Sequence, residues 1–481
     1  MKKTLILLLL AINGALCAQE FTDLTGDYLG QTPPGDTPVV FAPGIVSTDG
    51  CEHSIPVFSP DGNEVFWWAG DVKTMKRIGD RWTSPTVTTY RGSLSYSIDG
   101  KRLYFTRTGP YPDHPSFGYY IEKQGNIWSE PSNIGILPRF SELKAICALS
   151  ISQNGTLYFQ GDTVGMLRNA DQRTYRSKLL NGEYTKPELL PPSISLESGH
   201  PFIAPDEDYL IFSSDRTGNL GRGDLYISFH NLSTDTWSEP MNMGRPINTS
   251  SCERYAGLSH DGKYLFFTRR VEGPGFNFDI FWIRTDAVLP VPNGTVFNAT
   301  LGTRFSSIET AIRLAQSGDT IIVEPGVYQE SITFDKDVTL QSVDPNDPYY
   351  IGGTIIQGDP NEPVITLNNN TEACTIAGLT LRTGSVGVSG AATNATFHNC
   401  RIMDNVNHGM DLIGSSPLLS HCLITANGKC GIAMQVRPAS PGRGGLPEIP
   451  CEPLIENCYI VDNNNLSLVG GQPVVVESLI Q

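Results

Sequence analysis

The chain has 481 residues and a formal net charge of −16 at pH 7. This length accommodates about two to four domains. The acidic balance argues against nucleic acid as a partner, because phosphate groups require a basic protein surface. Beyond the N-terminus, no stretch reaches the roughly 18 consecutive apolar residues of a membrane-spanning helix, so we expect no membrane span.

Residues 1–18 have the pattern of a signal peptide. Two lysines are followed by an apolar run at residues 5–12 and by a small residue at the cleavage position, Ala18. A lipid anchor at Cys17 is the alternative. Lipoprotein signals resemble one another in having a small residue directly before this cysteine, whereas Leu16 is bulky. We therefore predict cleavage after Ala18 and export to the periplasm, surface or surroundings of a bacterial cell.

A short turn sequence, usually ending in Asp-Gly or Asn-Gly, recurs before aromatic-rich runs. The five copies lie at residues 58–62, 97–100, 152–155, 204–207 and 259–262. Such turns between two apolar runs are the strongest short-range signal for a β-hairpin, because they need residues that tolerate positive φ. Between the turns, an aromatic residue precedes a proline by three positions, as in Trp82 and Pro85.

These repeated hairpins predict a β-propeller. Each unit is long enough for four short strands, and a lone four-stranded sheet cannot bury both of its faces, whereas sheets packed around an axis can. Residues 38–44 resemble residues 241–247, so we predict that the N-terminus donates an outer strand to the last blade and closes the ring. We predict six blades over residues 19–285, with five as the alternative.

The turn sequences are similar to a known repeat. The Ser/Ala-Pro-Asp-Gly turns, the Leu-Tyr-Phe runs and the segment 214–226 resemble the WD-like repeat of TolB-type propellers. The resemblance covers residues 21–285 and implies a platform for protein interaction in an exported protein. Some such propellers are joined to peptidases, but no Gly-x-Ser-x-Gly sequence of an α/β-hydrolase follows here.

A different pattern begins after the propeller. Residues 286–303 interrupt the hairpins and are predicted to be a linker. A capping box at residues 306–309 predicts a short helix that ends before Gly318. From residue 376 a period of about 22 residues sets in, with one strand signal per copy, which is typical of a parallel β-solenoid. The Pro- and Gly-rich insertion at residues 438–450 predicts a loop that leaves the solenoid.

The second pattern also has a family resemblance. The predicted helix and the sequence at residues 318–328 resemble the N-terminal cap of right-handed parallel β-helices of the pectin-lyase-like class, and the resemblance covers residues 304–481. The fold class is therefore predicted to be all-β. Three cysteines occupy equivalent positions of the repeat, and we predict that Cys400, Cys422 and Cys458 stack inside the solenoid at about 4.8 Å per rung.

Two segments contain candidates for a cross-link or a metal ion. Cys430 and Cys451 flank the insertion, and in an exported protein they are the best candidates for a disulfide. Asp215, Asn219 and Asp224 lie in a Gly-rich loop and could bind Ca²⁺ through their oxygen atoms. Otherwise we expect no cofactor.

The propeller contains a candidate binding site along its axis. The strand before each turn should line the axial channel, and polar residues occur at the start of several of these strands. They are Glu52, His53, Glu197, His200, Glu253 and Arg254. Polar groups that converge from several blades form a plausible ligand site, although they can also be internally satisfied groups at the blade tops.

The solenoid contains a weaker candidate for catalysis. Asp404, His408 and Asp411 form a polar cluster that could perform general acid–base chemistry on a polysaccharide. They can equally belong to an ordinary turn between coils, and no pectinase sequence motif accompanies them. We therefore predict an exported binding or scaffold protein that engages a protein or polysaccharide partner; the alternative is a polysaccharide lyase or hydrolase with its site on the solenoid.

Overall fold

The structure is a computed structural model. It describes residues 24–48, 50, 52, 54–90, 92–107, 117–125, 127–164, 172–272, 277–290, 294–368, 373–438, 449–468 and 473–480. The predicted signal peptide, Cys17 and His53 lie outside these residues. Within the part of the chain that is described, none of the helices is long and apolar enough to cross a membrane.

Antiparallel strands form a ring of five sheets, which we call blades 1 to 5. Blade 1 consists of Val57–Phe58, Glu64–Ala69, Asp71–Ile78, Arg81–Trp82 and Thr86–Val87. Blade 2 consists of Leu94–Tyr96, Arg102–Arg107, Phe117–Gln124, Ile127–Trp128 and Ser132–Asn133. Blade 3 consists of Ala145–Ile151, Leu157–Asp162, Gln172–Ser177 and Glu188–Leu189, with a small hairpin of Leu179–Leu180 and Glu183–Tyr184. Blade 4 consists of Ser198–Ile203, Tyr209–Ser214, Asp224–Asn231, Thr236–Trp237 and Met241–Asn242. Blade 5 consists of Glu253–Leu258, Tyr264–Arg270, Phe278–Arg284 and the N-terminal strand Val39–Val40.

The ring closes as predicted, and among the described residues it has five blades, which was the alternative to the expected six. Val39 and Val40 pair antiparallel with Trp282 and Phe281, so the N-terminal strand is the outer strand of blade 5. The prediction of six was wrong because this strand completes a blade already counted. It does not belong to an additional one.

Hydrogen bonds explain the recurring turn sequence. In blade 1, the Ser59 hydroxyl donates to the Asp61 carboxylate at 2.5 Å and accepts the Glu64 backbone N–H at 2.9 Å. Gly62 has a φ of 69°, a conformation that glycine adopts without steric cost. The same network joins Ser259 and Asp261 in blade 5. The side chains therefore fix the hairpins that begin blades 1 and 5.

Helices are few and short. The α-helices are Ile136–Arg139, Pro192–Ser195, Ile308–Arg313 and Pro348–Gly353, and the 3₁₀-helices are Asp27–Gly30 and Thr285–Ala287. The predicted capping helix is the one at Ile308–Arg313, and its N-cap Ser307 accepts the Thr310 backbone N–H at 3.1 Å.

Three sheets form the faces of a β-helix. The first contains Val296–Asn298, Thr303–Phe305, Thr320–Val323, Thr339–Ser342, Thr375–Ala377, Thr396–His398, Leu418–Ser420, Leu454–Glu456 and Val474–Val476. The second contains Gly326–Gln329, Thr354–Gln357, Thr380–Arg382, Arg401–Met403, Leu423–Thr425, Tyr459–Val461 and Leu479–Ile480. The third contains Ile332–Phe334, Ile365–Leu367, Val386–Ala391, His408–Ile413, Cys430–Gln435 and Asn465–Leu468. Strands of successive coils are parallel.

The first sheet begins earlier than expected. Val296–Asn298 pairs antiparallel with both Thr303–Phe305 and Thr320–Val323. The segment at residues 286–303, predicted as a linker, therefore contains a strand of the β-helix. The sequence signal was weak because this strand has only three residues.

Two internal ladders explain the 22-residue period. Cys400, Cys422 and Cys458 are all buried at equivalent positions, as predicted, and the Cys422 backbone N–H donates to the Cys458 sulfur at 3.4 Å. At the next corner, the Asn405 amide donates to Asn427 Oδ1 at 2.9 Å. Asn427 donates in turn to Asn463 at 3.0 Å. Each coil thus satisfies the buried polar groups of its neighbour.

The predicted disulfide between Cys430 and Cys451 is not formed. Cys451 is a free and fully buried thiol, which donates to the Ser415 carbonyl at 2.8 Å. Burial raises the pKa of this thiol. Proximity to the insertion was therefore not sufficient to bring the two sulfur atoms together.

The capping helix connects the propeller to the β-helix. The Arg313 guanidinium donates to the carbonyls of Met243 in blade 4 and of Val288 after blade 5. Apolar side chains from both parts, such as Phe267 and Ile312, belong to one continuous buried cluster. The propeller therefore rests on the first coil of the β-helix.

Candidate binding site in the propeller channel

The first strands of blades 3, 4 and 5 have the same irregularity. In each strand, the pairing register with the second strand shifts near its middle. At this position Ala148, His200 and Tyr255 have φ values of 49°, 54° and 47°. A β-bulge redirects side chains, and positive φ in a non-glycine residue is energetically costly. Three blades therefore maintain the same strained backbone next to the axis of the ring.

A polar cavity lies at this level, and we call it the mouth pocket. Its volume is about 410 Å³ and all five blades contribute to it. Most of its polar lining is uncharged: Ser93, Thr106, Gln160, Gln172, Ser198, Ser213, Ser214 and Tyr255. Trp68 of blade 1 adds an indole ring, half-buried, whose N–H donates to the Gly70 carbonyl at 3.2 Å.

A second cavity of about 250 Å³ continues along the axis, and we call it the channel pocket. It shares Ser93, Ala148, His200 and Tyr255 with the mouth pocket. Its apolar lining includes Ile55, Val57, Leu94, Ile98, Leu149, Ile151, Phe202 and Leu258. The described residues that line it include no Asp, Glu, Lys or Arg. A polar entrance thus leads to an uncharged interior.

His200 lies where the two pockets meet. Its Nδ1 lies 2.9 Å from Ser213 Oγ, and its ring centroid lies 3.8 Å from that of Tyr255. Burial, and secondarily the positive charge of Arg254, lowers the pKa of His200 to about 3. The imidazole is therefore neutral at physiological pH.

Gln160 fixes the position of His200. Its Oε1 accepts the His200 backbone N–H at 3.1 Å. Its Nε2 donates to Gln172 Oε1 at 2.9 Å and to the Ser198 carbonyl at 3.0 Å. A single buried amide therefore connects the second and third strands of blade 3 with the first strand of blade 4.

Charged groups lie at the edge of the mouth pocket. Arg254 packs its guanidinium 5.8 Å from the centre of the Phe278 ring and forms no ion pair with the described residues. Glu197 and Asp215 are exposed at the neighbouring ends of the first two strands of blade 4, next to the paired residues Ser198 and Ser214. Of the predicted binding residues, the structure thus places Glu197, His200 and Arg254 at this pocket.

Glu52 and Glu253 lie elsewhere, buried within the blades. Each carboxylate accepts the backbone N–H and the hydroxyl of the threonine four residues earlier, Thr48 or Thr249. Glu253 also accepts Arg269 Nε at 2.9 Å. Glu52 Oε2 is buried and has no hydrogen-bond partner among the described residues. Both side chains therefore belong to the blade interior, and neither lines the mouth pocket.

In the loop that contains the candidate Ca²⁺ ligands, two of the three side chains use their oxygen atoms for internal hydrogen bonds. The buried Asp224 carboxylate accepts the backbone N–H groups of Leu220 and Gly221 and the Asn242 amide. Asn219 Oδ1 accepts the Tyr226 hydroxyl at 2.7 Å. Within the described ranges, no group of three or more His, Cys, Asp or Glu side chains could hold a metal ion. Asp215 lies apart, at the mouth pocket.

The three candidates on the β-helix are not assembled into a site. Asp404 is exposed at a corner with a φ of 55°. His408 begins a strand and its Nδ1 accepts the Cys430 backbone N–H at 3.3 Å. Asp411 lies in register with Ser389 and is half-buried. In the described part of the chain, no hydrogen bond or ion pair joins these three side chains.

Sequence reasoning missed Trp68, Gln160 and Tyr255. Gln160 follows the apolar run Leu-Tyr-Phe, and a polar residue within a buried strand could have indicated a site. Tyr255 and His200 both lie four residues before the first residue of their turn. An alignment of the blades on their turns would have placed them together.

Comparisons with known proteins give one family match and several structural likenesses. Residues 304–440 match the family model described as right handed beta helix region. No curated protein matches the chain.

Among solved structures, the chain is similar to TolB from Acinetobacter baumannii, with 13% identity, coverage of 50% of this chain and 56% of that chain, and a TM-score of 0.29. The chain therefore spans less than two thirds of that structure's own length. It is also similar to an endo-arabinase from Bacteroides thetaiotaomicron, with 13% identity, coverage of 49% and 94%, and a TM-score of 0.34. A third structure, alginate lyase from Paenibacillus sp., has 14% identity, coverage of 36% and 72%, and a TM-score of 0.26.

Proposed function

We propose that the protein is an exported binding protein and that its propeller binds a glycan in the mouth pocket. The observation that carries this proposal is the convergence of uncharged hydrogen-bonding side chains from the blades on one cavity. Sugar hydroxyl groups both donate and accept hydrogen bonds, and amides, hydroxyls and neutral histidine match them without requiring a charged ligand.

The size and the rings of the pocket support the same ligand class. A volume of about 410 Å³ lies within the range of roughly 300 to 1,000 Å³ that is usual for ligand pockets. Trp68 and Tyr255 supply rings with an apolar face and a polar edge. Such rings can cover the apolar face of a sugar.

Export is part of the proposal because residues 1–18 have the sequence pattern of a signal peptide. The β-helix, on which the propeller rests, provides a rigid support in this proposal. A binding role is favoured over a lyase or hydrolase on the β-helix because Asp404, His408 and Asp411 are not joined by any contact among the described residues.

A glycan array followed by calorimetry tests the proposal. Trp68→Ala and His200→Phe should each weaken the binding of the selected glycan at least tenfold. His398→Phe is the matched control, since His398 lies on the outer face of the β-helix, where Nδ1 contacts Ser420 Oγ at 2.8 Å. Absence of binding to every glycan, or binding that is unchanged by both propeller variants, would refute the proposal.

A further inference from the structure

We propose that the ligand is amphipathic: a hydroxyl of its sugar donates to His200 Nε2, and an uncharged apolar substituent on that sugar enters the channel pocket. This inference rests on the proposed function and specifies its ligand. It follows from the tautomer of one histidine and from the composition of one cavity.

The tautomer follows from Ser213. Its hydroxyl donates to the Gly199 carbonyl at 3.0 Å and lies 2.9 Å from His200 Nδ1. A serine hydroxyl has a single hydrogen, and the Gly199 carbonyl receives it. The contact with Nδ1 therefore requires that Nδ1 carries the proton and that the serine oxygen accepts it. The neutral ring then has its lone pair on Nε2.

Nε2 is thus an acceptor at the boundary of the two pockets. Among the described residues it has no hydrogen-bond partner, and His200 lines both cavities. A ligand group that binds here must donate a hydrogen bond. Because burial keeps the imidazole neutral, the ring itself offers no positive charge to an anionic group. A hydroxyl group fits this requirement.

The cavity beyond His200 selects an apolar group. Ile55, Leu149, Ile151 and Phe202 are among its walls, and none of the described residues lining it is Asp, Glu, Lys or Arg. Moving a charge into such surroundings is strongly unfavourable. An apolar cavity of about 150 Å³ is known to hold benzene, so the channel pocket, at about 250 Å³, has room for a short alkyl chain or an aromatic ring.

The adjacency of the two pockets connects the hydroxyl donor at His200 with the apolar group in the channel pocket. The same four residues, Ser93, Ala148, His200 and Tyr255, border both pockets. A sugar seated in the mouth pocket with a hydroxyl at His200 therefore has the entrance of the channel pocket next to it. An alkyl or aryl glycoside, or a sugar carrying another neutral apolar group, is the matching class of ligand.

Calorimetric titration with methyl, butyl and hexyl β-D-glucopyranosides and β-D-galactopyranosides tests this inference. Each buried methylene is worth about 0.8 kcal/mol, which corresponds to roughly fourfold in affinity. At least one sugar series should therefore show a Kd that falls by thirtyfold or more from methyl to hexyl. Affinity should stay constant between pH 5 and pH 8, since His200 does not titrate in this range.

Three variants separate the hydrogen bond at His200 from the apolar contact in the channel pocket. Leu149→Trp fills the channel pocket and should abolish the dependence on chain length while the methyl glycoside still binds. Ile151→Phe should have the same effect and serves if Leu149→Trp does not fold. His200→Phe should weaken all members of a series by a similar factor of about ten, because one hydrogen bond is lost.

The outcomes distinguish this inference from the proposed function. If glycans on the array bind the wild type but no alkyl glycoside binds better than its methyl analogue, the inference is wrong and the glycan site stands. If hexyl glycosides bind equally well to the Leu149→Trp and Ile151→Phe variants, the alkyl chain binds elsewhere and the inference is also wrong. A wild type that binds no array glycan refutes the proposed function itself.

Discussion

Replacement of Glu52 by glutamine should reduce the pH dependence of stability. Glu52 is only 1% exposed and its Oε2 has no partner among the described residues. Burial raises its pKa from 4.5 to about 7, against the opposing effect of the hydrogen bonds from Thr48. Because the folded-state pKa lies above the unfolded value, the folded protein binds the proton more tightly. Its stability therefore decreases as the pH rises from about 4.5 to about 7.

The size of the effect follows from the pKa values. A pKa raised from 4.5 to about 7 corresponds to roughly 3 kcal/mol of folding free energy once the carboxyl group is ionised in both states. Between pH 5 and pH 8 the wild type should lose about 2 to 3 kcal/mol through this residue alone. Glu52→Gln should lack this contribution. Any pH-independent cost of the amide, whose nitrogen would be buried, cancels when the two pH values are compared.

Chemical denaturation of wild type and Glu52→Gln at pH 5 and pH 8 measures this difference. Glu253→Gln is the matched control, because Glu253 has the same threonine contacts but also pairs with the largely buried Arg269. Removal of this charge should destabilise the protein by about 3 to 5 kcal/mol, since the guanidinium is left unpaired. If wild type and Glu52→Gln show the same pH dependence, or if both variants destabilise equally at pH 8, the assignment of an unpaired carboxylate to Glu52 is wrong.

Three further predictions concern other parts of the chain. Asn427→Ala should lower the unfolding free energy by about 2 to 4 kcal/mol, because Asn405 and Asn463 both lose the buried Asn427 as a hydrogen-bond partner. The control Asn361→Ala, at an exposed position, should change the unfolding free energy by less than about 0.5 kcal/mol. Urea denaturation of the two variants compares these effects. Asp224→Ala should destabilise the protein by about 2 to 3 kcal/mol through loss of three hydrogen bonds. Addition of calcium or of a chelator should leave the Tm of the wild type unchanged. A Tm that depends on calcium in the wild type but not in Asp224→Ala would show that this loop binds the ion. His408→Ala and Asp411→Ala should leave glycan affinity in calorimetry unchanged, and a tenfold loss in either variant would move the site to the β-helix.

The fold could be predicted because its repeats carry their own hydrogen-bond networks. In three of the five turns the serine and the aspartate bind each other, so the sequence records these hairpins directly. The repeated cysteine and asparagine positions could be recognised similarly, because these residues contact each other in successive coils of the β-helix. The blade count was overestimated because the N-terminal segment was counted in addition to the five turns, although its strand Val39–Val40 completes the fifth blade.

The candidate site was only partly predictable because side-chain direction depends on backbone irregularities. Glu52 and Glu197 each lie seven residues before the Ser or Ala of their turns, yet Thr48 holds Glu52 inside the blade while Glu197 is exposed at the mouth pocket. Tyr255 enters the pocket through a β-bulge that the sequence does not mark. The prediction of a disulfide between Cys430 and Cys451 was wrong because the direction of a side chain again decided the contact. The Cys451 thiol donates to the Ser415 carbonyl.

The most direct test of the proposed binding site is a crystal structure of the protein with the glycan selected on the array. The proposal predicts that the sugar occupies the mouth pocket, with a hydroxyl within hydrogen-bond distance of His200 Nε2 and a ring of the sugar near Trp68. A glycan bound on the faces of the β-helix, with the mouth pocket occupied by water alone, would contradict it.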